Sequence, residues 1–357
     1  MELRRLWLTD FRNYGAVDLE LSAGCTLVVG PNGQGKTNLV EAVAFLATLD
    51  SFRGATADSL VRVGCDSAVV RGEIMNLGRR VLVETGVPRS GRVRAQVNGN
   101  VLSRARDLLG SLRVSVFSPD DLVLVKEGPA ARRRYLDDVL VALHPPNDSI
   151  RVDLERVLRQ RNALLRQAAG RLSEEVAFTL DVWDERLAEV GERLVDLRQA
   201  VVNELQPVVT EAYRALASNE VEVRLTYEPP WRETGLLAAL RRGRPEDVRR
   251  GVSLLGPHRD EVEIGLAGQP ARTHASQGEQ RCLALSLRLA AHRLVGDRIG
   301  SPPVLVLDDV FSELDPRRGA ALLAHLPAGQ VLMTTAGAIP AGAHPDAVLT
   351  IDAGTVR

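Results

Sequence analysis

Gly30-Pro31-Asn32-Gly33-Gln34-Gly35-Lys36-Thr37 matches the pattern GxxxxGK[ST] at every position. The segment follows the apolar run Cys25–Val29, which predicts a buried strand, and precedes apolar residues at helical spacing from Leu39 onward. Glycines let backbone N–H groups approach phosphate oxygens closely, while the lysine meets the β- and γ-phosphates and the threonine hydroxyl suits Mg²⁺. The sequence therefore predicts a nucleoside triphosphate site, with binding residues Gly30, Pro31, Asn32, Gly33, Gln34, Gly35, Lys36, Thr37 and Asn38.

A second signal lies near the C-terminus, where the apolar run Val304–Leu307 leads into Asp308 and Asp309. A buried strand of this kind delivers its last carboxylate to the metal, so Asp308 is predicted to join Thr37 in holding Mg²⁺. Asp309 then lies where a carboxylate orients or deprotonates an attacking water. Lys36 and Asp309 are therefore the catalytic candidates of this part of the chain.

The segment Ser276-Gln277-Gly278-Glu279-Gln280 precedes a helix with an apolar stripe and has two interpretations. Taken alone it is a capping box, with Ser276 as the N-cap and Glu279 three residues later. Between the other two motifs, the same helix N-terminus suits a γ-phosphate, because its first N–H groups have no intrahelical partner. On the second interpretation Ser276 and Gly278 join the catalytic candidates.

These motifs, followed by Phe311-Ser312-Glu313-Leu314-Asp315, resemble those of ABC-type ATPases. Ser276 and Gly278 match the signature of that superfamily, usually LSGGQ, while Gln277 replaces a glycine and Glu279 holds the last position. Asp315 matches the D-loop, which implies a contact to nucleotide. The resemblance also implies an ATP-dependent homodimer, because the superfamily's signature meets nucleotide held by a second chain.

Composition narrows the function classes. The 357 residues carry 45 Lys plus Arg against 46 Asp plus Glu, and 45% of them are hydrophobic, which excludes a mainly disordered chain. No uncharged apolar run is long enough to predict a membrane span.

Cys25, Cys65 and Cys282 are scattered singly, which predicts free thiols in a reducing compartment. The charged segment Met1–Trp7 is not typical of a secretory signal, so we expect a cytoplasmic protein.

Changes of pattern along the chain predict an α/β body interrupted by a helical insertion. Period-2 stretches between residues 67 and 97 predict a small antiparallel section, and a 4-3-4-3 spacing of apolar residues from Val176 predicts a helix ending at Pro207. With an earlier helix around Leu154–Leu165, that helix forms a short coiled-coil-like hairpin. Later strands alternate with helices and favour a largely parallel sheet, at Val221–Tyr227, Glu261–Ile264, Val304–Leu307, Val331–Thr335 and Val348–Ile351. The predicted domains are an ATPase lobe, 1–135 with 251–357, and a helical lobe, 136–250.

Within the superfamily, the chain resembles the RecF family of bacterial recombination mediators, whose heads group with those of SMC and Rad50. The matching segments span the chain and leave mainly the helical lobe without motifs. They are Asp10–Tyr14, Val116–Leu122, Lys126–Pro129, Arg132–Asp137, Gly256–Asp260 and Ser276–Arg281. The resemblance implies an α/β fold, an ABC-type, Rad50-head-like P-loop ATPase domain with an inserted helical lobe.

The resemblance also implies a function. ATP with Mg²⁺ would close two chains on DNA, weak DNA-dependent ATPase activity would release them, and recombinase would be loaded onto single-stranded DNA during recombinational and replication-gap repair. The implied partners are double-stranded DNA, gapped or junction DNA, RecR and RecO, with no membrane. The competing hypothesis is a transporter-like ABC-type ATPase that acts on a protein partner rather than on DNA.

Some positions depart from the superfamily pattern or stay open. The usual catalytic glutamate is Asp309 here, one methylene shorter, which predicts slow turnover. Thr334-Thr335-Ala336 stands where transporters have a switch histidine, and no glutamine can be placed around Phe117–Asp121. The resemblance implies a phosphate contact for Arg12, which on its residue type alone is equally a surface arginine. Either a phosphate track or a solvated face fits the arginines Arg132, Arg133, Arg134, Arg151, Arg156, Arg159, Arg161 and Arg166.

Overall fold

The computed structural model describes the whole chain, residues 1–357. Its strands are β1 (Glu2–Phe11), β2 (Tyr14–Glu20), β3 (Cys25–Val29), β4 (Ser67–Asn76), β5 (Arg79–Pro88), β6 (Arg94–Val97), β7 (Asn100–Val101), β8 (Val114–Phe117), β9 (Val223–Thr226), β10 (Glu263–Leu266), β11 (Gln269–Pro270), β12 (Val304–Asp308), β13 (Val331–Thr335), β14 (Ala347–Asp352) and β15 (Thr355–Val356). Its α-helices are α1 (Lys36–Thr48), α2 (Ala57–Leu60), α3 (Val123–Lys126), α4 (Pro129–Leu143), α5 (Asp148–Gln167), α6 (Glu174–Ala217), α7 (Leu236–Arg250), α8 (Ala271–His274), α9 (Gln277–Ile299) and α10 (Pro316–Ala324). Short 3₁₀ turns follow β8 and β12, at Pro119–Leu122 and Val310–Ser312.

The chain forms two compact units. The first unit comprises Met1–Leu122, Glu211–Glu220 and Gln277–Arg357, and the second comprises Val123–Thr210 and Val221–Ser276. The domain boundaries predicted from the sequence patterns, 1–135 with 251–357 and 136–250, remain a prediction.

The first unit contains two six-stranded sheets with α1 between them. One is antiparallel, in the order β2-β1-β4-β5-β6-β7, and includes the predicted antiparallel section. The other has the order β15-β14-β3-β13-β12-β8, and its strands from β14 to β8 pair in parallel. Strands β12 and β13 are buried along their whole length, which explains the apolar runs Val304–Leu307 and Val331–Met333. The parallel α/β core is therefore confirmed.

Two strands predicted for that sheet lie elsewhere. β9 and β10 pair antiparallel with each other, and β11 completes a separate three-stranded sheet in the second unit. The prediction was wrong for these strands because alternation with helices does not reveal which strands pair.

Helix α6 is longer than predicted. It runs for 44 residues from Glu174 to Ala217 and contains Pro207, where the sequence had predicted its end. An internal proline loses one backbone hydrogen bond and costs about 3 kcal/mol. Apolar side chains on both sides of Pro207 are buried, including Leu205 and Val209, and their burial outweighs that cost. Tertiary packing thus overrides the local signal.

The second unit contains a buried network of charges. Arg161 is fully buried, and its guanidinium donates to Asp184 and Asp247 at 2.7 Å each and to the Ser253 hydroxyl at 2.8 Å. A buried ion pair is costly to break, since one charge is then left without its partner. Arg161 is therefore a core residue, and the phosphate-track interpretation is wrong for it.

Candidate nucleotide-binding site

The predicted phosphate loop connects β3 to α1. Helix α1 begins after Gly35, which has a φ of 119° and provides no side-chain cap, so the first N–H groups of the helix are available to a ligand. A Cβ added at Gly33 would meet no atom within 4 Å, which places open space beside the loop. This is the form of an anion-binding concavity at a helix N-terminus.

Lys36 is held inside this loop. Its Nζ donates to the carbonyl oxygens of Gly30 and Pro31 at 2.6 and 2.8 Å, and the residue is 6% exposed. Burial lowers the pKa of Lys36, while the nearby carboxylates of Asp309 and Asp308 act in the opposite direction. The ammonium group is thus desolvated, close to two acidic residues and near the place where phosphates would lie.

Thr37 and Asp308 lie in direct contact, while their role in holding Mg²⁺ stays a prediction. The Thr37 hydroxyl donates to Oδ1 of Asp308 at 3.1 Å, and the Thr334 hydroxyl donates to the same oxygen at 2.7 Å. Burial raises the pKa of Asp308, and these two hydroxyl donors partly counter that shift. A hydroxyl beside a carboxylate suits Mg²⁺, which is usually held by few protein ligands together with substrate phosphates. No group of three or more His, Cys, Asp or Glu side chains offers an all-protein cage, so the donor set fits Mg²⁺ bound with nucleotide.

Asp309 directly follows the strand that carries Asp308. Its φ of 51° lies in the left-handed region, and its backbone N–H donates to the Thr334 hydroxyl at 3.0 Å. A non-glycine residue in this region is strained by about 1 kcal/mol or more, and such strain is often kept at functional sites.

Thr334 was not predicted from the sequence. It is 1% exposed and contacts both Asp308 and the backbone of Asp309, because β13 pairs beside β12 with Asp308 opposite Thr334. Thr334 stands where transporters have a switch histidine, but no local spacing indicates its pairing with Asp308. Strand register alone assigns Thr334 to the site.

Arg12 lies in the left-handed region with a φ of 55° and is already engaged. Its guanidinium donates twice to the buried Glu41 at 2.8 Å and once to the Ser59 carbonyl at 2.9 Å. Arg53 is the other cation here, 3.9 Å from Glu41, and its charge opposes the rise in the pKa of Asp308 that burial causes. The phosphate contact of Arg12 stays a prediction, and Arg53 is a cation that the sequence analysis missed.

The remaining loop residues are exposed or tied to neighbours. Pro31 and Asn32 are exposed, whereas Asn38 donates its side-chain N–H to Asn13 at 2.8 Å. The Gln34 carbonyl accepts from the Asn13 side chain at 2.9 Å. No role had been assigned to Asn13 from its type or spacing.

The signature candidates lie at the start of α9. Ser276 immediately precedes the helix, and Gly278 belongs to its first turn. An added Cβ at Gly278 would come within 2.3 Å of the Arg318 guanidinium, so that side chain lies directly against the glycine. Asp315 caps α10 by accepting from the Arg318 N–H, and its carboxylate lies 3.4 Å from the Arg318 guanidinium. The structure thus groups Gly278, Arg318 and the D-loop aspartate, and Arg318 was not predicted.

The segment after β8, where no glutamine had been found, is linked to α9. Asp121 accepts from the Ser118 N–H at 2.9 Å and from the Arg288 guanidinium at 2.6 Å. Arg281 makes a second link from α9, donating to the Glu313 carbonyl at 3.0 Å. These contacts connect the signature helix to the segments that follow β8 and β12.

The segment Gly256–Asp260 is an anchor of the second unit. Asp260 is buried and accepts from Tyr227 and Trp231, and the Pro257 carbonyl accepts from the buried Arg198 at 2.8 Å. Burial and neighbouring arginines lower the pKa of His258 to about 4. The contacts of this segment are therefore internal ones within the unit.

Comparisons with known proteins agree with this geometry. The family model described as RecF/RecN/SMC N terminal domain matches residues 2–336. The chain is 45% identical to the DNA replication and repair protein RecF of Acidothermus cellulolyticus, over 94% of this chain and 93% of the relative. It is 43% identical to the RecF of Kineococcus radiotolerans, over 100% of both chains.

Solved structures show the same fold. The structure of the recombination mediator protein RecF with ATP in the RecFOR pathway superimposes with a TM-score of 0.91 at 29% identity, covering 99% of this chain and 96% of that one. An Smc head bound to the C-terminal winged-helix domain of ScpA gives a TM-score of 0.61 at 19% identity, covering 100% and 96%, and supports the fold alone. The α/β ABC-type head with a helical lobe is therefore confirmed. No helix is both long and apolar enough to span a bilayer.

Proposed function

Because the chain belongs to the RecF family of DNA replication and repair proteins, we propose that it is an ATP-dependent DNA-binding protein of recombinational and replication-gap repair. The observation that carries the proposal is the contact between the phosphate loop and Asp308, in which the Thr37 hydroxyl lies 3.1 Å from the Asp308 carboxylate. Relatives named RecF, one of them solved with ATP, support ATP as the nucleotide.

In this proposal Lys36 exchanges its contacts with the Gly30 and Pro31 carbonyls for phosphate oxygens. A desolvated ammonium group that already lies within the loop needs little reorganisation to do so. Thr37 and Asp308 would hold Mg²⁺, which supplies charge neutralisation and orientation of the phosphates when it is bound. Thr334 keeps Asp308 in place by donating to its Oδ1.

Asp309 would orient and deprotonate water for slow hydrolysis. The backbone of Asp309 is held in its left-handed turn by a hydrogen bond from its N–H to the Thr334 hydroxyl. An aspartate reaches less far than the glutamate usual in this superfamily, which supports slow turnover. Weak, DNA-dependent ATPase activity is part of the proposal.

The proposed ATP-dependent homodimer rests on the signature candidates and the D-loop aspartate. Ser276 and Gly278 at the start of α9, with the D-loop Asp315, would meet ATP held by a second copy of the chain. ATP binding would then close two chains on double-stranded DNA or at a gap junction, and hydrolysis would release them. RecR and RecO are the proposed partners in loading recombinase, because a structural relative is described as part of the RecFOR pathway.

The alternative, an ABC-type ATPase acting on a protein partner without DNA, finds less support in the RecF relatives. Steady-state ATP hydrolysis with and without duplex DNA separates the two. We expect hydrolysis to rise with duplex DNA and to be lost in Asp309→Asn, while Asp297→Asn, an exposed acidic residue on α9, stays at the wild-type rate. Hydrolysis that ignores DNA would contradict the DNA-binding proposal.

A further inference from the structure

The outer side of the phosphate loop is held by two chain turns that lie far apart in sequence. One is the turn between β1 and β2, which contributes Asn13. The other is the turn between β14 and β15 near the C-terminus, which contributes Ala353 and Gly354. Both turns converge on Gln34, in the middle of the loop.

The contacts to Gln34 come from three donors. Its backbone carbonyl accepts from the Asn13 side chain at 2.9 Å and from the Gly354 N–H at 3.1 Å. Its side-chain Oε1 accepts from the Ala353 N–H at 2.6 Å. Asn13 also accepts from the Asn38 side chain at 2.8 Å, which connects the turn to the first turn of α1.

These contacts fix the direction of the loop's N–H groups. In a planar trans peptide the C=O of one residue and the N–H of the next point in opposite directions. Because the Gln34 carbonyl is held outward, the Gly35 N–H points toward the other side of the loop. The Gly35 carbonyl is likewise held by the buried Tyr14 hydroxyl at 2.8 Å, which directs the Lys36 N–H the same way. Both N–H groups are at the uncapped helix N-terminus.

The fit between the turns and the loop is close. A Cβ added at Gly354, whose φ is 76°, would lie 2.6 Å from the Asn13 carbonyl oxygen. A Cβ added at Gly35 would lie 2.6 Å from the Asn13 side chain. A side chain at Gly354 would have to move the Asn13 backbone, and one at Gly35 would have to displace the Asn13 side chain, so the turns and the loop fit closely at both positions.

We propose that Asn13 and the Ala353–Gly354 turn form an outer brace that sets the phosphate-binding N–H groups, and that the C-terminal hairpin is therefore part of the nucleotide response. Asn13 is a positioning residue, because it acts on phosphate through Gln34 and Gly35. Nucleotide binding tightens the brace, since phosphate holds the same peptide groups from the other side. The inference rests on the proposed ATP site.

The test is binding of a fluorescent ATP analogue to the full chain, with Mg²⁺, for wild type, Asn13→Ala and Gly354→Ala. Asn13→Ala removes the side-chain donor to the Gln34 carbonyl, and Gly354→Ala adds a methyl group that pushes the hairpin turn away from Asn13. Each change is expected to weaken binding about tenfold. The matched control is Asn100→Ala, an exposed asparagine on β7, which is expected to bind like wild type. The melting temperature of the nucleotide-free variants is measured alongside, and Gly354→Ala decides if Asn13→Ala fails to fold.

A second readout distinguishes positioning from a purely structural role. Hydrogen exchange of the peptide containing Ala353 and Gly354 is expected to slow about fivefold or more when ATP is added to wild type, because bound phosphate steadies the loop residue to which these amides donate. It is not expected to slow when ATP is added to Asn13→Ala, in which the brace is incomplete. Binding within twofold of wild type in both variants, or exchange that ignores ATP in wild type, overturns the brace. A wild-type protein that fails to bind the analogue at all contradicts the proposed ATP site instead.

Discussion

Replacing Asp308 with asparagine is expected to stabilise the nucleotide-free protein while it abolishes Mg²⁺-dependent hydrolysis. Asp308 is 4% exposed, and burial together with the neighbouring Asp309 carboxylate raises its pKa, while the charge of Arg53 acts in the opposite direction. The charge of Asp308 is stabilised mainly by the hydroxyls of Thr37 and Thr334. An asparagine oxygen accepts the same two hydrogen bonds and carries no charge to desolvate.

The expected gain is about 1–2 kcal/mol in the free energy of unfolding, the size usual for relieving a strained functional site. For a unit of about 200 residues, this corresponds to roughly 2–8 °C in melting temperature. The comparison is made in EDTA without nucleotide, so that no bound metal neutralises the wild-type carboxylate. Asp297→Asn, which removes an exposed charge from α9, is the control and should change stability by less than about 0.5 kcal/mol.

The pH dependence follows from the direction of the shift. Burial raises the folded-state pKa of Asp308 above the ordinary value of 3.8, so the wild type loses stability as pH rises from that value through the folded pKa. The Asp308→Asn variant does not have this loss. Its advantage should therefore grow as pH rises above 3.8 and become constant above the folded-state pKa, which urea unfolding from about pH 4 to pH 8 can follow. A variant no more stable than wild type at pH 7.5 would refute the assignment of Asp308 as a buried charge that its hydroxyl donors and nearby cations compensate only in part.

Three further substitutions test other parts of the structure. His292 is 2% exposed, both its ring nitrogens lack hydrogen-bond partners, and burial lowers its pKa to about 4. Wild type should therefore lose stability as pH falls from 6.5 toward 4, and His292→Leu should lose less. Thermal melts measure this, and equal slopes of melting temperature against pH would contradict it. Arg161→Met leaves the buried Asp247 without its cation and Asp184 with Arg244 alone, and it should cost about 3–5 kcal/mol in urea unfolding. A cost under about 1 kcal/mol would contradict the stabilising role of Arg161. Gly278→Ala adds a Cβ 2.3 Å from the flexible end of the Arg318 side chain, so the helix should keep its stability. The ATP-dependent dimer should weaken about tenfold in sedimentation equilibrium. An unchanged dimer dissociation constant would show that Gly278 does not lie in the dimer interface.

The local part of the site could be predicted from the sequence. The phosphate loop, the strand before it and the helix after it lie within one short segment, and glycine spacing carries the chemistry directly. Asp308 could be placed beside Thr37 because a buried apolar strand that ends in a carboxylate has a known position in such sheets. Residue type and spacing were sufficient there.

Contacts between distant segments could not be predicted. Thr334 reaches Asp308 only because β13 pairs with β12 in one register, and Asn13 reaches Gln34 only because two hairpin turns meet at the loop. Helix α6 continues through Pro207 because burial on both sides outweighs a local penalty of about 3 kcal/mol. Each of these depends on tertiary pairing or packing, which no single stretch of sequence encodes.

The central claim is that ATP joins two copies of the chain, and sedimentation velocity tests it most directly. The protein is examined without nucleotide, with ADP and with ATP, each with and without duplex DNA, beside Lys36→Arg and Ser276→Arg. The account predicts a dimer that appears only with ATP, is favoured by DNA and is lost in both variants, since one alters the phosphate loop and the other obstructs the signature. A species whose mass ignores nucleotide, or a Ser276→Arg variant that dimerises like wild type, would contradict it.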